Sequence, residues 1–139
     1  MDYQKNAHGT YEFDLSYISE GIIIGRGFGS WNLEAATQWF NKQCDIHKEH
    51  LEGSRWGMLS DARKWELCTP DVTEYFDWTV QELVKIGLYR EAFLPSTNIQ
   101  KAIVSHYGEK VKESQRKIEY FTCESAALEW LRLELKPIR

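Results

Sequence analysis

The chain has 139 residues, with 17 Lys and Arg against 21 Asp and Glu, a formal net charge of −4, 42% apolar residues and 27% charged residues. That apolar share excludes a disordered chain, and the length suits one domain able to bury roughly two thirds of its unfolded surface without a metal or disulfide staple. The mild acidic balance argues against a dedicated nucleic-acid binder, which carries a basic field.

The ends and the cysteines suggest a compartment. Met1 to Asn6 is polar and has no apolar stretch of the secretory type. Apolar runs are short, as in Ile22-Ile23-Ile24, far below the ~20 residues of a membrane span. The three cysteines, Cys44, Cys68 and Cys123, form no C-x-x-C pair and read as free thiols. The expectation is a cytoplasmic protein with no integral membrane span.

Residues 1–9 read as a flexible arm and 10–139 as a single domain. From Thr10 to Ile18, Tyr11, Phe13, Leu15 and Tyr17 alternate with polar residues, the period of a half-buried strand. A two-residue turn at Ser19-Glu20 leads into a β-branched run, Ile22-Ile23-Ile24, which predicts a hairpin partner. The glycines of that second strand, Gly21 to Phe28, suggest a bulge or close packing against another element.

Asn32 is an N-cap candidate, with Glu34 in the first turn. Leu33, Ala36, Phe40, Cys44, His47 and Leu51 follow at spacings of three and four, which predicts an amphipathic helix ended by Gly53. Trp56 to Asp61 reads as a central strand. Thr69 and Pro70 open a second helix, with a buried stripe at Val72, Phe76, Val80, Leu83 and Gly87. Residues 88–100 read as irregular or as a continued helix. Lys101 to His106 reads as a strand, Glu109 to Arg116 as a short helix, and Ile118 to Phe121 as a last strand. Thr122 would cap a final helix with an apolar face of Ala127, Leu128, Leu131 and Leu135. Strands alternating with helices imply a largely parallel sheet joined by crossovers, with one antiparallel edge from the opening hairpin.

The placing of Trp56 to Asp61 before a helix, and the ending Tyr120-Phe121-Thr122-x-x-Ser125-Ala126-Ala127-Leu128-x-Trp130-Leu131, resemble the SpoIIAA-like group of the STAS superfamily. The resemblance spans roughly residues 10–135. It implies an α/β fold: a mixed four- to five-stranded sheet with an antiparallel N-terminal hairpin and helices mainly on one face. It also implies a regulatory or ligand-binding module more often than an enzyme. Anti-sigma-factor antagonists of that superfamily carry an Asp-Ser-Ser-Gly phosphorylation stretch. Here the comparable residues are Ser60-Asp61-Ala62-Arg63-Lys64-Trp65, so no phosphorylated serine is carried over.

Several constellations could carry chemistry. Gly25-Arg26-Gly27-Phe28-Gly29-Ser30 follows a strand and precedes a helix, but Ser30 occupies the sixth place, where a dinucleotide loop needs Gly. No cofactor is therefore expected. Cys44, His47 and His50 stand three apart, and His50 is turned about 120° from Cys44 around a helix, so no metal site is expected. Cys68 precedes a helix start, where a thiol is easily ionised, and His106 is the base that could pair with it in a cysteine-dependent enzyme. Asp61, Arg63, Lys64 and Glu66 would follow the carboxyl end of a parallel strand, where ligands bind in open α/β sheets.

The binding candidates are accordingly Ser30, Asp61, Arg63, Lys64, Trp65, Thr69 and His106. Trp39 and Trp78 lie one residue off the core stripes and could line a groove or only rim the core. The leading expectation is a non-catalytic domain acting through an unidentified protein partner or a small ligand, with a homodimer also open. A carrier of a small apolar or lipid-like molecule, its cavity lined by Val72, Phe76, Val80 and Tyr89, is the alternative. The Cys68–His106 enzyme is the third.

Overall fold

A computed structural model of the protein describes residues 9–66, 69–96 and 116–138. Strands β1 (Thr10–Asp14) and β2 (Ile22–Gly29) precede helix α1 (Leu33–His50). Strand β3 (Trp56–Trp65), helix α2 (Pro70–Lys85) and strand β4 (Leu88–Pro95) follow. Strand β5 (Lys117–Tyr120) and helix α3 (Glu124–Leu135) close the chain. The sheet order is β1-β2-β3-β4-β5. Strand β1 runs antiparallel to β2, and the other neighbours run parallel.

Alternation along the strands sorts side chains into two cores. Ile22, Ile24, Leu59, Ala92 and Leu94 meet Ala127, Leu128, Leu131 and Leu135 of α3. Ile23 and Met58 face the other way, where Phe40, Ile46 and Leu83 of α1 and α2 cover them. Two of the three described helices thus share one face and α3 closes the opposite one. Every residue of the expected α3 face is buried.

Local chemistry explains most boundaries. The Asn32 side chain accepts a hydrogen bond from the Ala35 amide and caps α1. Pro70 sits in the first turn of α2, where its missing N–H costs nothing. Gly87, at φ +111°, turns the chain from α2 into β4. A Cβ there would lie 2.5 Å from the Ser54 carbonyl oxygen.

Six expectations need correction. The β1–β2 connection is a 3-10 turn at Ile18–Glu20, and β1 ends at Asp14 because Ser16 bonds back to the Asp14 carboxylate. The buried face of α1 is Ala35, Ala36, Phe40, Gln43, Ile46 and His47, while Leu33 is exposed. Strand β3 runs on to Trp65, so Asp61, Arg63 and Lys64 lie within it rather than after it. The buried positions of α2 are Val72, Thr79 and Leu83, with Phe76 and Val80 only half covered. Cys123, not Thr122, is the N-cap residue of α3.

The largest correction is residues 88–95, which form a strand. Its charges disguise it in the sequence, because the counter-charges of Arg90 and Glu91 come from residues distant in the chain. Arg90 bonds Glu134 at 2.6 Å and stacks 3.7 Å over the Tyr89 ring. Glu91 accepts from Arg116 at 2.6 Å and from Ser60 at 3.2 Å. Strand β4 occupies the place beside Trp56–Asp61 that had been expected for Lys101–His106, and β2 fills the other side. Residues 101–106, and nearly all of the expected helix at 109–116, lie outside the described residues.

Leu131→Ala should lower the unfolding free energy by about 2–5 kcal/mol, the usual cost of truncating a fully buried leucine. Leu133→Ala, 63% exposed on the same helix, should change it by less than about 0.5 kcal/mol. Urea denaturation of the two variants checks both values.

Candidate functional site

The face of the sheet under α1 and α2 holds a cavity of about 120 Å³. Its floor is backbone at Gly25 and Gly27 of β2, with Met58, Ser60 and Ala62 of β3. Its walls are Trp31, Trp39, Trp65 and Phe76, with Val80 and Leu83 from α2. The ring centroids of Trp31, Trp39, Trp65 and Phe76 lie 5.8–6.2 Å apart in edge-on or tilted pairs.

The glycines make this room. A Cβ on Gly27 would approach the Trp65 ring to 3.2 Å and the Trp31 ring to 3.3 Å. A bulge places Trp65. Arg26 pairs with Asp61 and Phe28 with Lys64, so β3 advances three residues while β2 advances two. The extra residue shifts the alternation of β3 and brings Trp65 to the face of Met58 and Ser60. The Trp31 indole is held by hydrogen bonds from its N–H to the carbonyls of Thr10 at 3.2 Å and Phe28 at 3.3 Å.

Polar groups also line the cavity. Thr79 is buried, and its hydroxyl donates to the Phe76 carbonyl at 2.9 Å. Glu91 is held by Arg116 and Ser60. Gln43, on the buried side of α1, is fully enclosed, and neither its Oε1 nor its Nε2 has a hydrogen-bond partner among the described residues. His47, one turn further, packs 5.6 Å from the Trp56 ring.

The polar residues expected to bind a ligand are not gathered in one place. Asp61 points to the α3 face, where Arg63 grips it with Nε at 2.9 Å and Nη2 at 2.8 Å. Arg26 reaches Asp61 at 3.5 Å and Glu124 at 2.8 and 2.9 Å, linking β2, β3 and α3. Burial would raise the Asp61 carboxyl, but the side-chain and backbone hydrogen bonds of Arg63 and the charges of both arginines outweigh it and hold it below its ordinary value. Ser30 is exposed and donates to Glu66 at 2.7 Å. Lys64 is exposed. Thr69 is exposed, and its hydroxyl pairs with the Asp71 carboxylate. Trp65 belongs to the cavity. His106 and Cys68 lie outside the described residues.

Of the residues expected to line a cavity, Phe76 and Val80 do so. Val72 is buried with Trp31 and Trp65, and Tyr89 packs on the opposite, α3 face. Trp39 lines the cavity, whereas Trp78 is exposed beside Phe40 and Tyr75. Gln43 and Trp31 were missed. A polar residue at a helix position three after Phe40 is the signal that could have found Gln43. Cys44 is half-buried, His47 buried and His50 exposed, and no group of three metal-ligating side chains converges among the described residues.

Cys123 is exposed at the start of α3. Its thiol is lowered by a hydrogen bond with Ser125 and by the Ala126 and Ser125 amides, with the Arg63 charge adding to this. Burial pushes the Cys44 thiol up. Cys123 should therefore alkylate faster than Cys44 with iodoacetamide at neutral pH, and its rate should keep its plateau to lower pH. Peptide mapping by mass spectrometry against pH checks this. The Asp61 contribution to stability should be complete above the ordinary carboxylate value of about 4 and fade as pH falls through the lower folded value. Asp61→Asn should cost about 1–3 kcal/mol at pH 7 and flatten that acid limb in urea titrations.

No family model matches the sequence, and no curated protein matches it. Among solved structures, the fold is similar to the crystal structure of an uncharacterized protein of the DUF3478 family with a SpoIIAA-like fold from Shewanella loihica PV-4. The TM-score is 0.68 at 11% identity, over 92% of this chain and 98% of that one. At that identity the likeness concerns architecture alone. The chain has a SpoIIAA-like α/β fold, as the resemblance of its strand order and ending implies.

Proposed function

We propose that the protein is a non-catalytic binding domain that encloses a small, ring-bearing molecule between its sheet and helices α1 and α2. The observation that carries this reading is the aromatic cavity floored by Gly25 and Gly27, where the sequence withholds side chains that would fill it. Dense packing is the rule in protein interiors, so a void walled by tryptophans calls for an occupant.

Size narrows the occupant. About 120 Å³ is near the volume that holds a benzene-sized guest, and well below the space a drug-sized or long-chain ligand fills. This favours a compact ring over the lipid-like cargo considered from the sequence. Between a protein partner and a small ligand, the concave aromatic walls and small volume favour the ligand. The cysteine-dependent enzyme has no support among the described residues, since Cys68 and His106 both lie outside them.

Toluene should bind the full chain and change its tryptophan emission, because three indoles line the cavity. Val80→Trp should fill the space and reduce that binding by about tenfold or more while unfolding cooperatively. Undiminished toluene binding by a folded Val80→Trp protein, or no binding of toluene or of a polar ring of equal size by the wild type, would overturn the proposal. Native mass spectrometry of protein purified from cells would reveal a retained molecule by its mass.

A further inference from the structure

We infer that the ligand of this cavity carries an amide-type edge, an N–H beside a C=O held on the same side of a planar ring, which pairs with the side chain of Gln43. The inference rests on the cavity being a ligand site. A primary amide buried without partners costs free energy that Leu or Met at the same place would not. Gln43 is fully buried, lines the cavity and leaves both Oε1 and Nε2 without partners among the described residues.

The neighbouring polar groups are already engaged. The Ser60 hydroxyl donates to Glu91, Glu91 accepts from Arg116, and the Thr79 hydroxyl donates to the Phe76 carbonyl. Gln43 therefore remains the group able to specify a guest. Its carboxamide offers one acceptor and one donor side by side, and the complement is a donor and an acceptor side by side. A carboxylate supplies acceptors alone and would leave Oε1 facing lone pairs, with the Glu91 carboxylate also on the cavity wall. An ammonium supplies donors alone and would leave the Nε2 hydrogens unmet. A lactam edge on a flat ring satisfies both atoms, and its ring matches walls of Trp31, Trp39, Trp65 and Phe76. Such a molecule is neutral, which suits an apolar cavity whose two buried acids, Asp61 and Glu91, are already paired with Arg63 and Arg116.

The test uses three probes of equal heavy-atom count on the full chain, followed by tryptophan emission and calorimetry. These are 2-pyridone, which has the lactam edge, 2-fluoropyridine, which lacks the N–H, and toluene, which lacks both polar groups. Wild-type protein should bind 2-pyridone about tenfold or more tighter than 2-fluoropyridine, the scale of hydrogen bonds made to a buried partner. In Gln43→Met the preference for 2-pyridone over toluene should fall by about tenfold or more, with an unfolding midpoint at or above that of the wild type. Equal wild-type affinity for 2-pyridone and 2-fluoropyridine would overturn the inference, and so would an unchanged preference in Gln43→Met. If toluene still binds in either case, the cavity reading stands and only the lactam edge falls. If none of the three binds at about 10 mM, both fall. Should Gln43→Met fail to fold, the wild-type comparison decides alone.

Discussion

Strand β3 is flanked on both sides and covered on both faces, and the alternation of its side chains governs the rest of the molecule. Gly57 and Leu59 face α3, whereas Trp56 and Met58 face α1 and α2. One residue of slippage would exchange the two sets. Leu131 and Leu135 approach Gly57 so closely that a Cβ there would lie 2.8–3.1 Å from their methyl groups. Together with the Trp56 indole, which donates to the Ile86 carbonyl at 3.1 Å, this contact fixes the register.

The same strand then breaks its own rule. The bulge opposite Gly27 returns Trp65 to the α1 and α2 side, while Asp61 and Arg63 stay on the α3 side. Two unlike environments result from one irregularity. On one face, tryptophans stand over glycines and leave a void. On the other, Arg26, Asp61, Arg63 and Glu124 form a closed charge network that ties α3 to the strands. The network's charges satisfy one another, so it reads as a structural clasp. The void has no such closure, and its polar wall includes an amide with nothing to bond among the described residues.

The residues that line the cavity stand on rigid elements. Trp39 and Gln43 lie on α1, Phe76 and Val80 on α2, and Trp65 on β3. Edge-on and tilted aromatic contacts hold the rings of the cavity walls against one another. In the proposed reading, the compact volume and the buried amide are two independent filters, one for size and one for hydrogen-bond pattern.

Residue order alone determined the local features: the amphipathic face of α3, the Asn32 cap, the Pro70 start of α2, the alternation of β1, and a glycine run that signals a bulge or close packing. Each depends on neighbours within a few residues, where periodicity and capping chemistry act. Tertiary structure decided what depends on distant partners. Strand β4 was illegible because Arg90 and Glu91 find their counter-charges at Glu134 and Arg116. Gln43 resembled a solvent-facing helix residue until α1 was laid on the sheet. Asp61 and Arg63, adjacent in sequence to Trp65, were parted from it by a bulge whose position is set by pairing with β2. Sequence spacing reports which side chains share a face of one element, but a pocket is formed where faces of several elements meet, and only their packing brings those faces together.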